Sequence, residues 1–355
     1  KLVYRAGHSR AFAILAAVGV ISIIAHTIKA DPYFWTFARI LGGFAVAGCY
    51  TVIESWLQAK ATNQIRARVF SIYRIADFVG QIFANSLIGV LTPASYISYN
   101  ILAMIMCLAL IPLAVTLSKE PSLPTTQKFR PYLAYQISPL ATLGVVIAGI
   151  STSAFGSIAP LYVADLGMSN LEISYFLTAA VIGGVIVHPP AGFLADRFDR
   201  RSVLMFFSIL STVVCLAIGS DLVGLAAQGH SVSLLLALSF GISTFPIYSI
   251  SAAHANDFAD PDDVLDLSAS LIFFYALGAI ISPIIAGYII GRFGTSYLFI
   301  YISVAHILLM SFTIWRAIAR PVSSNDKPYA YYPRTTMFIA NIIRGRNASD
   351  KRDKP

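Results

Sequence analysis

Ten apolar runs, most of them longer than about 18 residues, follow one another from residue 11 to residue 317, with most charged residues standing between them. At ~1.5 Å per residue, a helix of 18 or more residues is about 27 Å or longer, close to the ~30 Å hydrocarbon core of a bilayer. Only 12% of the residues are charged, against about 25% in a soluble domain, and the mean hydropathy is +0.73. These features predict an all-α membrane protein. Its spans are expected at 11–28, 33–57, 69–91, 95–117, 138–162, 171–192, 202–220, 231–254, 263–290 and 295–317.

Charge placement sets the expected orientation. Of the 25 Lys and Arg residues, only Lys29 and Arg292 fall in loops on one side; Arg39 and Arg74 fall within spans, and the rest gather on the other side. By the positive-inside rule that side is the cytoplasm, which puts both termini of the chain there and the protein in the cell (inner) membrane. The same placement accounts for the net charge of +8 without nucleic acid as a partner. The opening KLVYRAGHSR reads as a basic loop rather than a signal peptide. Residues 118–137 have the Pro-rich, basic composition of a linker, and 318–355 that of a solvated basic tail. Two helix starts are legible: a capping box at Ser169–Glu172, and Asp260 as N-cap before Pro261.

The chain repeats itself. GFAVAGCYTVIESW (43–56) aligns with GISTFPIYSISAAH (241–254), pairing Gly43 with Gly241 and Tyr50 with Tyr248. LVYRAGHSR (2–10) aligns with LADRFDRRS (194–202), pairing Arg5 with Arg197. The second copy has two spans before this loop and the first copy has none. The expected domains are therefore an incomplete first half (1–117) with four spans, the linker (118–137), a second half (138–317) with six spans, and the tail (318–355). Parallel repeats of this kind are a transporter architecture with the substrate site at the repeat interface.

GFLADRFDRR (192–201) resembles the signature loop of the major facilitator superfamily, G-x-L-x-D-R-x-G-R-R. Gly192, Leu194, Asp196, Arg197, Arg200 and Arg201 match, while Asp199 replaces a glycine. RILGGFAV resembles that family's fourth-helix motif through Arg39 and Gly43, and two longer stretches (54–78 and 248–283) resemble its YcaD-like subgroup. The resemblance implies a fold of two pseudo-symmetric six-helix halves, here with ten spans (4+6) and without the first two helices. It also implies alternating-access transport of a small solute, with protons as the expected coupling ion and the protein acting as a monomer in the bilayer.

Two polar stripes on the spans are the candidate pathway. At about 100° per residue, Gly43, Tyr50 and Glu54 lie within about 60° of Arg39 on one face. On the next span Asp77, Gln81 and Asn85 lie within about 60° of Arg74, a stripe about 16 Å deep. An Arg or Asp facing lipid at that depth costs at least ~2.5 kcal/mol, so the stripes are expected to border a cavity; the bland alternative is interhelical polar glue. Expected pathway residues are Arg39, Tyr50, Arg74, Asp77, Gln81 and Asn85. Gate residues are Arg5 paired with Glu54, the loop residues Gly192, Arg197, Arg200 and Arg201, and Asp196 facing the N-terminus of the span that begins near residue 69. In GAIISPIIAG (278–287), Pro283 sits in the second half, where it gives no support to an antiporter signature. No phosphate loop, paired-cysteine or His–Glu metal pattern or enzyme constellation stands out, so no cofactor, metal or catalytic residue is expected. A non-transporting receptor or assembly factor on the same fold is the competing expectation.

Overall fold

The computed structural model describes residues 5–60, 66–92, 95–115, 130–220, 230–260 and 263–319. Every regular element among them is a helix: α1 His8–Ala25, α2 Pro32–Lys60, α3 Arg66–Val90, α4 Tyr96–Leu108, α5 Leu110–Val115, α6 Leu133–Ile137 and α7 Pro139–Asp165. There follow α8 Asn170–Arg197, α9 Arg200–Gly219, α10 His230–Thr244, α11 Pro246–Asn256, α12 Val264–Phe293 and α13 Tyr297–Ala319. Eight spans are long and apolar enough to cross a membrane, with α10 and α11 together forming one of them across the kink at Pro246.

The remaining two expected spans differ for local reasons. In α3 the apolar stretch is confined to Ile75–Val90, because Arg66, Arg68 and Arg74 occupy its first turns. At ~1.5 Å per residue, however, the whole of α3 is about 37 Å long and sufficient to span. The helix expected over 95–117 is interrupted by a turn at Ala109, ahead of Pro112.

Ends follow local chemistry. The expected capping box is present, with the Ser169 amide donating to Glu172 Oε2 at 2.7 Å and the Glu172 amide donating to Ser169 Oγ at 3.4 Å. Asp260, in contrast, does not cap α12, which starts at Val264 with Asp263 in the N-cap position. The Asp263 carboxylate accepts from Arg130 at 2.7 Å instead of capping the helix. Pro261 and Asp262 lie outside the described residues. Residues 130–137, read from sequence as linker, also differ from expectation. They form α6, whose Leu133 and Ala134 are buried against Ala141, Val145, Leu267 and Leu271. Ser270 Oγ secures this turn by donating to the Pro131 carbonyl at 2.6 Å and accepting from the Ala134 amide at 2.9 Å.

The two halves are unequally packed. In the second, Phe155 stacks on Phe240 (4.2 Å between centroids) and on Phe176, with Phe299 edge-on, at the centre of a buried cluster. The first half has a small core of Ala11, Leu15, Ala16, Cys49 and Val52. Within their apolar windows, 61% of α7 residues are buried but only 22% of α2 residues.

Two glycine crossings shape the second half. A Cβ on Gly149 would strike the Tyr275 carbonyl of α12, and one on Gly278 would strike the Val146 carbonyl of α7. Likewise Gly183 of α8 meets the Leu238 carbonyl of α10, and Gly241 of α10 meets the Ala180 carbonyl of α8. Each pair lets two backbones touch, the small-residue packing that holds helices together in lipid. In the first half, Gly43 and Gly80 stand at the same displacement from Gly241 and Gly278 as Tyr50 from Tyr248, yet a Cβ on either would meet nothing from another element within 4 Å among the described residues.

Candidate functional site

The polar face of α2 meets that of α3 at Asp77. Tyr50 Oη donates to Asp77 Oδ1 at 2.7 Å, and Gln81 Nε2 donates to Asp77 Oδ2 at 3.1 Å. The second bond follows from i,i+4 spacing on one helix; the first is made by the long Tyr50 side chain reaching from α2 to α3. Tyr50 lies about 15 Å from the Lys60 end of α2 and Asp77 about 16 Å from the Arg66 end of α3, so the two groups stand at similar distances along their helices. Tyr50 is exposed and Asp77 half-buried. Asn85 lies half-buried further along the α3 stripe, while Arg74 is on α3 with its side chain outside the described residues.

Arg39 is separate from this cluster. It lines a cleft of about 800 Å³ with Pro32, Trp35, Ile40, Gly43 and Phe44 of α2 and Ile280 of α12, and no ion pair reaches it among the described residues. The internal repeat gives this cleft a counterpart. In the second half, α8 lies on Gly241 of α10 and also along α3, with Leu171 against Gly89 and His188 edge-on to Phe78 at 5.8 Å.

At the loop between α8 and α9, Arg200 is the hub. Its Nε contacts Asp257 Oδ2 at 3.2 Å and its Nη2 contacts Asp196 Oδ1 at 3.8 Å. Asp257 follows the last residue of α11, so the loop is tied to a helix end across the bundle. Burial raises the Asp257 carboxyl above its usual range, with Arg200 opposing the shift and Asp196 and Asp199 adding to it. Asp199, the departure from the signature, has a local explanation: its carboxylate caps α9 by accepting the Arg201 amide at 2.9 Å.

Other sequence expectations fare differently. Glu54 does not pair with Arg5: its carboxylate accepts from Tyr73 Oη at 3.4 Å, and Arg5 is exposed with no ion pair to Glu54 among the described residues. The geometric reason is that Glu54 lies on the α2 face turned toward α3. Asp196 has a 74% exposed side chain and meets Arg200; among the described residues no hydrogen bond or ion pair joins it to the start of α3, the N-terminus it was expected to face. Gly192 is exposed with open space where a Cβ would stand, and the Arg197 guanidinium lies over the Phe193 ring at 5.9 Å. Gly278, Ser282 and Pro283 act in packing, with Ser282 Oγ donating to the Ile150 carbonyl at 2.8 Å.

Sequence reasoning missed a second polar group. Tyr275 Oη is 2.8 Å from Thr152 Oγ1, and the Tyr275 ring meets Tyr248 edge-on at 5.4 Å. The signal was present in the repeat, since Tyr275 stands to Asp77 as Tyr248 stands to Tyr50. The buried pair Ser151–His306, 3.1 Å apart, had no such signal.

Comparison with known proteins agrees with this geometry. A profile of the Major Facilitator Superfamily matches residues 141–347. The chain is similar to an uncharacterized MFS-type transporter, YcaD, of Escherichia fergusonii, with 25% identity covering 91% of this chain and 83% of that protein. It is similar to the YcaD of Salmonella typhi at 23% identity, covering 93% and 83%. Among solved structures, a bacterial homologue of the human lysosomal transporter Spinster, inward-facing and occupied, superposes with a TM-score of 0.67 at 12% identity, over 90% of this chain and 84% of that one. A mutant of the nucleoside transporter NupG gives 0.68 at 14% identity, over 87% and 83%. With the profile covering more than half of its length, this multi-pass membrane chain belongs to the Major Facilitator Superfamily of transporters.

Proposed function

We propose that the protein is a secondary active transporter that moves a small solute by alternating access, with protons as the coupling ion. The observation that carries this reading is the Tyr50–Asp77–Gln81 cluster. A carboxylate on a helix of a multi-pass membrane chain, held by a phenol from one helix and an amide from its own, is the candidate for the coupling group. Arg200 braces the α8–α9 signature loop within the second half by holding it to Asp257 at the end of α11. In this reading both termini are cytoplasmic, the membrane is the inner one, and the transporter works as a monomer.

The test is solute-driven proton movement in proteoliposomes carrying an internal pH dye, screened over small polar solutes, for the wild type and Asp77→Asn. Acidification or alkalinisation that is solute-dependent in the wild type and absent in Asp77→Asn is expected. Equal proton movement in both proteins removes Asp77 from coupling, and binding without net flux for any solute makes the protein a receptor.

A further inference from the structure

Two hydrogen bonds of the same kind join α2 to α3. Tyr50 and Glu54 stand one turn apart on α2, Tyr73 and Asp77 stand one turn apart on α3, and the helices run antiparallel. Tyr50 Oη donates to Asp77 Oδ1 at 2.7 Å, and Tyr73 Oη donates to Glu54 Oε1 at 3.4 Å. Each helix gives one phenol and one carboxylate, so the bonds are two rungs in register. Long side chains span this seam: at Gly80, the turn after Asp77, a Cβ would meet nothing from another element within 4 Å among the described residues. The helices on either side have other attachments. α2 packs on α1, where Ala11, Leu15, Ala16, Cys49 and Val52 form a core with Met106 of α4 and Leu110 of α5 against it. α3 lies instead along α8 of the second half, with Gly89 against Leu171 and Phe78 against His188. The rungs therefore tie one packed unit of the first half to a helix that rides on the second.

We infer that these rungs are a strap, closed while Asp77 is ionised and released when it takes up a proton, so that α1, α2 and α4 part from α3. This inference rests on the reading of Asp77 as the coupling group. A hydrogen bond to a carboxylate is roughly twice as strong as its neutral counterpart. A proton on Oδ1 turns the acceptor of the Tyr50 hydroxyl into a donor, and a proton on Oδ2 meets the Gln81 amide nitrogen, which cannot accept it. Either way one bond is lost or reversed, and the remaining rung at Glu54 is the longer one. The titratable and charged groups around Asp77 are Tyr50 and Glu54 from α2, His188 from α8 through Phe78, and Tyr73 and Arg74 on α3, the Arg74 side chain lying outside the described residues.

Distances between spin labels test this without a known solute. In the full chain with Cys49, Cys107 and Cys215 replaced by alanine, labels at Phe44→Cys and Val79→Cys read the α2–α3 distance. Labels at Ile21→Cys and Phe44→Cys read the α1–α2 distance, and all of these positions are exposed. Pulsed electron double resonance is recorded in liposomes for this background, for Asp77→Asn as the uncharged mimic of the protonated acid, and for Tyr73→Phe. In Asp77→Asn the α2–α3 distribution is expected to move outward by about 5 Å, the scale of a one-turn movement of one helix past another, with α1–α2 unchanged. Tyr73→Phe is expected to populate the same longer distance in part. An α2–α3 distribution in Asp77→Asn that matches the background overturns the strap; if that variant still loses solute-driven proton movement, Asp77 keeps its coupling role. A seam that opens while proton movement persists overturns the coupling role of Asp77 and the release step with it. An α1–α2 distance that spreads as far as α2–α3 shows general loosening and also overturns the strap. Tyr73→Phe removes only a hydroxyl, so the test stands even where Asp77→Asn does not fold, and a Tyr73→Phe distribution equal to the background overturns the second rung.

Discussion

Gly241→Ala is a sharp test of the packing that positions the site. The new methyl would overlap the Ala180 carbonyl oxygen, lie 2.7 Å from its carbon and 3.0 Å from the Gly184 nitrogen. All three atoms are backbone, so no side chain can rotate away and α8 and α10 must separate. Overpacking a tight contact costs ~1–3 kcal/mol, and a rigid backbone obstacle places this case near 3. The intrinsic preference of helices for alanine over glycine returns about 1 kcal/mol, leaving a net loss of about 2. Gly156→Ala in α7 is the matched control: it lies inside a helix with nothing within 4 Å of the new methyl, and it retains only the gain. The readout is thermal unfolding in detergent, followed by a dye that reacts with the buried thiol of Cys215 after the exposed Cys107 has been replaced. A loss of ~2 kcal/mol lowers the midpoint by roughly 4–8 °C. If Gly241→Ala leaves the midpoint unchanged, or Gly156→Ala lowers it as much, direct backbone contact does not set the α8–α10 spacing.

Three further outcomes are expected. Ser270→Ala removes two buried hydrogen bonds to α6 and should cost ~1–3 kcal/mol, whereas Arg130→Ala breaks a half-exposed ion pair and should cost at most ~1 kcal/mol; an equal or reversed order in unfolding midpoints would show that α6 is held by charge. Asp257 holds its proton more tightly in the native state than in the unfolded chain, where Asp titrates near ~3.9; its stabilising contribution is therefore full below that pH and is lost as pH rises through the raised native value. Relative to wild type, Asp257→Asn should accordingly gain in midpoint as pH rises from about 4 to about 7, and a flat difference would refute this. Tyr50→Phe removes the 2.7 Å bond to Asp77 and should lower stability by only ~0.6–2 kcal/mol while abolishing solute-driven proton movement in the proteoliposome assay; retained coupling would assign Tyr50 to packing alone.

Much of the molecule was legible without coordinates. Hydropathy is a local property summed over one helix, and it marked the spans, the signature loop and the Ser169 cap. The Arg39 and Asp77 stripes were legible in the same way, because 3.6-residue periodicity needs no knowledge of neighbours. Partner choice was not. From sequence Glu54 was assigned to Arg5 because both lie near one end, but the direction of its α2 face gave it to Tyr73. Nothing in the sequence joined Asp263 to Arg130, a residue far away along the chain from which its carboxylate accepts.

The sequence by itself determined that this is a polytopic α-helical chain with an internal repeat and charged groups set within its spans. Only the tertiary structure decided which of those groups meet. It separated Arg39 from the Tyr50–Asp77–Gln81 cluster and joined Thr152, Tyr248 and Tyr275 in the other half. The physical reason is that an apolar helix in lipid is specified by its own residues, whereas its contacts depend on backbone approach and rotation, which glycine positions and interhelical bonds fix only once the helices are assembled.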